Sequence, residues 1–171
     1  GRAGAWTGSR LWGVKPDLMS TAKAVTNGYF PLGAVMIGEK LVDAFEADKS
    51  GKASIGHGYT YSGHPVGAAA ALAALAETKR LDVANNAAAR GAELLAGLGK
   101  LKTKHSLVGD VRGKGLMAAL ELVSDRGQKT PASKELMQRV FETAYERGVM
   151  VRTSGNIIIL SPPLIITAAD V

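Results

Sequence analysis

Apolar residues recur along the chain with two periods, one typical of helices and one typical of strands. Helical spacing, in which apolar residues return every three or four positions, predicts four helices, at residues 40–48, 65–79, 82–98 and 131–147. Short apolar runs predict strands at 16–20, 34–37, 149–152 and 156–160, and two more within 108–122 around a glycine kink. The pattern mixes helices with strands, and the strand at 16–20 is expected to belong to an open α/β sheet.

The short gap between Arg80 and Asp82 divides this pattern into two parts. Before it, two short strands come first and two helices follow, and the strand at 16–20 is expected to be buried. After it, a long helix leads into strands and one further helix, an α+β arrangement. We therefore predict two domains, residues 1–81 and residues 82–171.

Both ends of the chain have features of interior segments. The first residue is Gly1, and Thr167 with Asp170 forms a variant of the capping box that opens helices. We expect the sequence to be part of a longer polypeptide.

Composition narrows the class of protein. The 171 residues are 46% hydrophobic and 21% charged, as in globular domains, and no run has the length of a membrane helix. Without cysteine there is neither a disulfide framework nor a thiolate metal site, which fits a cytoplasmic address. The net charge is +6, but the basic residues are dispersed, and the densest cluster, Lys100, Lys102 and Lys104, contains no aromatic residue. We expect no nucleic-acid partner and no membrane partner.

Lys23 is the first candidate for chemistry. It is the single charged residue between Asp17 and Glu39, and it lies between two alanines. A desolvated lysine loses its proton more easily and can form a Schiff base with a carbonyl group. The alternative is a lysine that extends its charge into solvent at the end of a strand. The residues that follow, Gly28, Pro31 and Gly33, are typical of a turn where backbone approaches a ligand closely.

A second candidate is the segment from Gly56 to Pro65. It lies in a stretch without formal charge between Lys52 and Glu77, and it places glycines and the hydroxyl of Thr60 just before a predicted helix. Glycine-rich backbone at a helix start is one way in which proteins hold phosphate, although such matches are common. Its two histidines, at positions 57 and 64, have no neighbouring metal-binding residues, and we predict no metal site.

Two further features lie in the second half. Gly113 and Gly115 could suggest a dinucleotide-binding fingerprint, but strand pattern follows them and no acidic residue lies at the required distance, so we reject that interpretation. Arg152 stands at the end of an apolar strand, where a guanidinium group could bind a carboxylate, or could be an ordinary surface arginine.

Four parts of the sequence resemble one family. The segment Lys-Pro-Asp-Leu-Met-Ser-Thr-Ala-Lys-Ala-Val-Thr-Asn-Gly-Tyr-Phe-Pro-Leu-Gly-Ala, residues 15–34, is similar to the cofactor-lysine segment of class III aminotransferases. Gly-Tyr-Thr-Tyr-Ser-Gly-His-Pro, residues 58–65, resembles their phosphate-binding segment, and Arg-Gly-x-Gly-Leu at 112–116 is a structural element of the family. Val-Met-Val-Arg at 149–152 with Ser-Pro-Pro-Leu at 161–164 resembles the carboxylate-binding segment of omega-amino-acid:pyruvate transaminases.

The resemblance implies a fold-type I enzyme that uses pyridoxal 5′-phosphate, represented here by part of the large domain with a mixed or parallel sheet and by a small α+β C-terminal domain. It implies that Lys23 carries the cofactor as a Schiff base and acts as base and then acid. It also implies that Thr60, helped by the backbone of Tyr59, binds the phosphate of the partner's cofactor in a homodimer or a dimer of dimers. Arg152 is then the residue that binds the substrate carboxylate.

Several functions stay open at this point. The resemblance favours transfer of an amino group from an omega-amino acid or amine to a keto acid, with pyruvate expected. Alternatives within the family are a 2-oxoglutarate-linked ornithine or 4-aminobutyrate transaminase and an aminomutase. A non-catalytic basic interaction module is the alternative from another class. The family aspartate that pairs with the pyridine nitrogen has no counterpart in this sequence.

Overall fold

A computed structural model describes residues 1–171, and the chain divides into two compact units. One unit is Trp12–Leu81, here called the Lys23 unit. The other combines Gly1–Leu11 with Asp82–Val171 and is called the Arg152 unit. Each is described by itself.

The chain forms five α-helices and seven strands. The helices are α1 (Gly8–Leu11), α2 (Glu39–Ala47), α3 (Pro65–Arg80), α4 (Val83–Lys104) and α5 (Lys134–Glu146). The strands are β1 (Leu18–Thr21), β2 (Ala34–Ile37), β3 (Val108–Lys114), β4 (Met117–Asp125), β5 (Thr130–Pro131), β6 (Arg152–Ser154) and β7 (Ile157–Leu160). No helix is both long enough and apolar enough to cross a membrane.

The Lys23 unit is built on a β-hairpin. Strands β1 and β2 pair antiparallel, with Leu18 opposite Ile37 and Thr21 opposite Ala34, and residues 22–33 form the long connection between them. The sheet has only these two strands, so neither strand has a second neighbour. The strand predicted at 16–20 exists as β1, which begins two residues later, at Leu18. Its residues are exposed or half-buried rather than buried.

Helix α3 is the longest element of the unit. Pro65 occupies its first turn, where the missing N–H costs nothing, and an alanine-leucine run carries the helix to Arg80. Along this length only Gly67 and Ala71 are buried. The helix therefore contacts the rest of its unit near its N-terminal end.

The Arg152 unit contains an antiparallel sheet with the strand order β3-β4-β7-β6, and β5 pairs with β4. Its core lies between this sheet and helices α4 and α5. The buried core residues are Leu98, Val108, Ala118, Leu120, Leu122, Ala132, Met137 and Ile158. The two glycines at 113 and 115 lie at the β3–β4 hairpin, with β4 after them, in agreement with the rejection of a dinucleotide fingerprint.

Helix α4 is longer than predicted, because the chain continues in helical form to Lys104 rather than ending near residue 98. Its buried positions return every three or four residues up to Gly91 and are small, which lets the helix approach the sheet closely. At its C-terminal end the guanidinium group of Arg126 donates hydrogen bonds to three carbonyl oxygens, of Lys102, His105 and Val108, at 2.7–2.8 Å. A cation that satisfies the last carbonyls stabilises a helix end.

Residues 1–11 pack with the later part of the chain, whereas the predicted domain 1–81 grouped them with the first part. The Leu116 N–H donates to the carbonyl of Arg2, and the Arg2 guanidinium donates to the carbonyls of Leu116 and Pro162. These long-range bonds explain the difference, since nothing in the local sequence indicates them. The boundary between Leu81 and Asp82 coincides with the predicted one, and the assignment of a cofactor domain and a C-terminal domain stays a prediction.

Candidate active site

Lys23 lies directly beyond the C-terminal end of β1. It is the first residue of a 3₁₀ turn, Lys23–Val25, and its φ of +55° is in the left-handed region that non-glycine residues rarely occupy. Such a conformation costs about 1–2 kcal/mol and is concentrated at functional sites. No side chain of the protein pairs with its amino group, which is exposed.

Desolvation of Lys23 was one of the two alternatives that the sequence left open, and within this chain the residue is exposed. The physical reason is the sheet that carries it. Both faces of the two-stranded β1–β2 hairpin are largely open, and no other layer of the Lys23 unit covers residues 22–24. The unpaired amine is consistent with a nucleophile. Within this chain, however, no burial contributes to its reactivity.

The connection that carries Lys23 is held by Thr26, a residue that the sequence analysis missed. Thr26 is 1% exposed, and its hydroxyl donates a 2.6 Å hydrogen bond to the carbonyl of Phe30. Its N–H donates to the carbonyl of Lys23, and its own carbonyl accepts from the N–H of Tyr29. A hydroxyl within an apolar run, one residue before Asn27-Gly28, was the available signal, because such residues commonly organise turns.

Gly28 lies in the turn that follows Lys23. Its φ is +82°, as a tight turn requires, and a Cβ atom there would meet open space. The turn, and not the close approach of a neighbour within this chain, therefore explains the glycine.

Phe30 anchors the same connection onto α3. A Cβ atom at Gly67 would lie 2.8 Å and 2.9 Å from two ring carbons of Phe30, so only a glycine leaves room for the ring in its present place. The ring of Phe30 also packs against the ring of His64, with centroids 5.2 Å apart. His64 is the N-cap residue of α3, and its Nδ1 accepts the N–H of Val66 at 3.2 Å.

Thr60 lies in a turn that precedes α3. The N–H of Ser62 donates to the carbonyl of Tyr59, and the Ser62 hydroxyl accepts the N–H of Tyr59 at 3.0 Å. The Tyr59 N–H is therefore used within the chain, whereas the hydroxyl of the exposed Thr60 has no partner. Gly56 and Gly58 leave open space beside the backbone of the same loop. An unpaired hydroxyl with open glycine backbone suits an anionic group such as a phosphate.

Arg152 belongs to the Arg152 unit, where it is the first residue of β6 rather than the last residue of a strand, as predicted. It is opposite Ile159 on β7, is exposed, and has no ion-pair partner. A groove of about 470 Å³ borders it. The groove is lined by Phe141, Met150, Val151, Arg152, Thr153, Ile159 and Ser161. An unpaired guanidinium beside an apolar wall can bind a carboxylate whose carbon chain packs on that wall.

Comparison with known proteins places the chain in a family. The model for the class III aminotransferases matches residues 1–171. Diaminobutyrate–2-oxoglutarate transaminase of Halomonas elongata is 38% identical over all of this chain, which corresponds to 37% of that protein. Putrescine–pyruvate aminotransferase of Pseudomonas aeruginosa is 36% identical over all of this chain and 37% of its own length.

A solved structure gives the same result. An amine transaminase from an uncultivated Pseudomonas species, determined in its pyridoxal-phosphate-bound form, superimposes with a TM-score of 0.88 at 48% identity. The match covers 99% of this chain and 39% of that one, so the chain spans less than half the length of the proteins it resembles. The predicted α/β class and the fold-type I family are confirmed by these likenesses, and the chain belongs to the class III aminotransferase family.

Proposed function

We propose that the protein to which this chain belongs is an aminotransferase that moves an amino group from an amine or omega-amino acid to a keto acid, with pyridoxal 5′-phosphate as cofactor. The observation that carries the proposal is Lys23, which combines a left-handed backbone, an unpaired amine and the family's cofactor-lysine motif. Strain of this kind persists where function requires it.

The residues present fit the cofactor. Pyridoxal phosphate has an aldehyde and a phosphate, and the Lys23 unit offers an unpaired amine and a loop with a free hydroxyl and open glycine backbone. When bound, the cofactor supplies an electron sink for the carbanion at the amino-bearing carbon.

The role proposed for Lys23 is twofold. Its Nζ atom would hold the cofactor covalently. Once free, Nζ would accept the proton from the amino-bearing carbon of the donor and later donate a proton, as base and then as acid. Its position on a short turn, with no ion pair to restrain it, is compatible with both tasks.

Thr60 is proposed to bind the phosphate of the cofactor in a partner subunit, so that the enzyme is a homodimer or a dimer of dimers. The free hydroxyl supports this role for Thr60. Tyr59 was predicted to help with its backbone. Because its N–H already donates to the Ser62 hydroxyl, Tyr59 contributes by shaping the turn.

Arg152 is proposed to bind the carboxylate of the keto acid, while the apolar side of its groove receives the carbon chain. Pyruvate is the expected acceptor and the cytoplasm the expected location. The relatives named for pyruvate and for 2-oxoglutarate match this chain to a similar extent, so the 2-oxoglutarate-linked alternative is kept.

Turnover of the complete protein tests the proposal. Amines and omega-amino acids are supplied as donors with either pyruvate or 2-oxoglutarate, and the amino acid product is measured. Formation of alanine at the higher kcat/KM supports the proposed function, whereas preference for glutamate formation supports the alternative. No transfer with any donor contradicts both.

A further inference from the structure

His64 lies where the two candidate cofactor segments of the Lys23 unit meet. On one side its ring packs against Phe30, which lies in the connection carrying Lys23. On the other side the backbone N–H of His64 donates to the carbonyl of Tyr61. The His64 ring also contacts the ring of Tyr61 at a centroid distance of 6.0 Å. His64 thus touches the segment of Lys23 and the turn of Thr60 at the same time.

The imidazole also caps α3. Its Nδ1 atom accepts the N–H of Val66, one of the helix N–H groups that have no partner within the helix. Histidine is not among the usual N-cap residues, which are serine, threonine, aspartate and asparagine. A small polar residue would cap the helix equally well but could not reach Phe30 with a ring. The combination of both contacts therefore explains a histidine at this position.

Further contacts connect His64 to the Lys23 turn on one side and to the Thr60 turn on the other. The ring of Phe30 is held in place by the close approach of Gly67. The carbonyl of Phe30 accepts the hydroxyl of the buried Thr26. The N–H of Thr26 in turn donates to the carbonyl of Lys23. On the loop side, Ser62 closes the turn that contains Thr60 by two hydrogen bonds with Tyr59. A displacement of the His64 ring is thereby transmitted to both turns.

We propose that His64 is a positioning residue, which fixes the Lys23 turn and the Thr60 turn relative to each other through its ring contact with Phe30 and its cap on α3. The inference rests on the proposed function, because it gives these two turns their importance. It applies whether the two turns serve one cofactor or the cofactors of two subunits, since all of the contacts lie within one unit of one chain.

Two variants of the full-length protein separate the two contacts, and a third is the control. His64→Phe retains a ring against Phe30 but cannot accept the N–H of Val66. His64→Asn retains an acceptor for the cap but has no ring. His57→Asn removes a histidine of the same loop whose recorded ring contact is with Tyr59 and not with α3.

Amide hydrogen exchange of the cofactor-free protein is the first measurement. We expect His64→Phe to lower the protection factor of Val66 about fivefold, the usual effect of losing one N-cap bond. We expect His64→Asn to preserve that protection but to lower protection over residues 24–30.

Affinity for pyridoxal phosphate, measured by equilibrium dialysis, is the second measurement. Both His64 variants should bind several-fold more weakly, and His57→Asn should bind as the unsubstituted protein does. Unchanged exchange and unchanged affinity in both His64 variants, or equal losses in His57→Asn, would overturn the proposal. If the exchange responds as expected but no form binds the cofactor, the link stands and the proposed function fails. Should His64→Phe not fold, His64→Asn decides by itself, because unchanged protection over residues 24–30 together with unchanged affinity contradicts the proposal.

Discussion

The backbone of Gly91 on α4 packs directly against the backbone of Gly115 in the β3–β4 hairpin. A Cβ atom on Gly91 would overlap the carbonyl group of Gly115, and Gly115 is itself pressed against the backbone of Arg2 and Ala3. Helix, hairpin and N-terminal segment therefore meet at one point without intervening side chains. This junction fixes the sheet whose strands β6 and β7 border the Arg152 groove.

Gly91→Ala should destabilise the Arg152 unit strongly. The added methyl group meets backbone on a neighbouring element, which cannot rotate away as a side chain could, so we expect a loss at or above the upper end of the usual range of about 1–3 kcal/mol for overpacking. Denaturant unfolding measures it. Gly97→Ala on the same helix is the control, because its Cβ meets nothing within 4 Å, and it should stabilise by up to about 1 kcal/mol through helix propensity. Similar stabilities for the two variants would contradict the tight junction.

Gly67→Ala should displace Phe30 and loosen the turn of Lys23. The new methyl group would lie 2.8 Å from a ring carbon, so the ring must move and the connection at 22–33 moves with it. Exchange protection at residues 24–30 should fall. A double-mutant cycle with Phe30→Leu gives the test, and we expect a coupling energy of about 1 kcal/mol, since the smaller side chain makes room for the methyl group. Simple additivity would show that the two residues do not compete for the same space.

Asp48 should hold the loop after α2 in a manner that depends on pH. The hydroxyl of Ser50 and the N–H groups of Ala53 and Ser50 donate to its carboxylate, and these bonds lower the pKa of Asp48 from 3.8 to about 2. Because the pKa is lower in the folded state, the carboxylate stabilises the loop above the unfolded pKa, and this stabilisation is lost as the pH falls toward 2.

Carboxyl NMR titration checks the pKa of Asp48 directly, and exchange at Ala53 reports the loop. We expect the exchange protection of Ala53 to decrease between about pH 4 and pH 2. This is the interval between the unfolded pKa of an aspartate, about 3.9, and the lower pKa in the folded state. Asp48→Asn should remove this decrease. An Asp48 titration at the ordinary value would show that the carboxylate is not held by these donors.

Arg152→Ala should raise the KM for the keto acid in the complete enzyme and leave its affinity for the cofactor unchanged. An unpaired guanidinium that binds a carboxylate contributes about 1.5–3 kcal/mol, so we expect an increase of roughly 10-fold to 100-fold. Arg147→Ala, another exposed arginine of the same unit, is the control and should have little effect. A KM that stays the same after Arg152→Ala would remove Arg152 from the substrate site.

The sequence predicted most elements because their signals are local. Pro65 and the alanine run indicated α3 within one residue of its end, and the apolar run at 34–37 coincides with β2. The start of β6 was misplaced, since Val149 and Met150 are apolar but lie outside any strand and are exposed. Apolar character alone does not distinguish a strand from an apolar segment that no layer covers.

The candidate site was predictable in its residues but not in its geometry. Motifs pointed to Lys23, Thr60 and Arg152, whereas the packing of the Lys23 connection on α3 depends on residues distant in sequence. Phe30 acquires its role only when Gly67 on α3 comes close, and residues 1–11 join the later unit through long-range hydrogen bonds of Arg2. The exposure of Lys23 likewise follows from a sheet of two strands, which no local pattern reports.

Covalent capture of the cofactor tests the role of Lys23 most directly. The complete protein is incubated with pyridoxal phosphate, reduced with borohydride, digested and analysed by mass spectrometry, with Lys15 and Lys40 as neighbouring lysines for comparison. We expect the reduced cofactor adduct on the peptide that contains Lys23, and no adduct at that position in Lys23→Arg. An adduct distributed over the neighbouring lysines, or its persistence in full yield after the substitution, would contradict the assignment of Lys23 as the cofactor lysine.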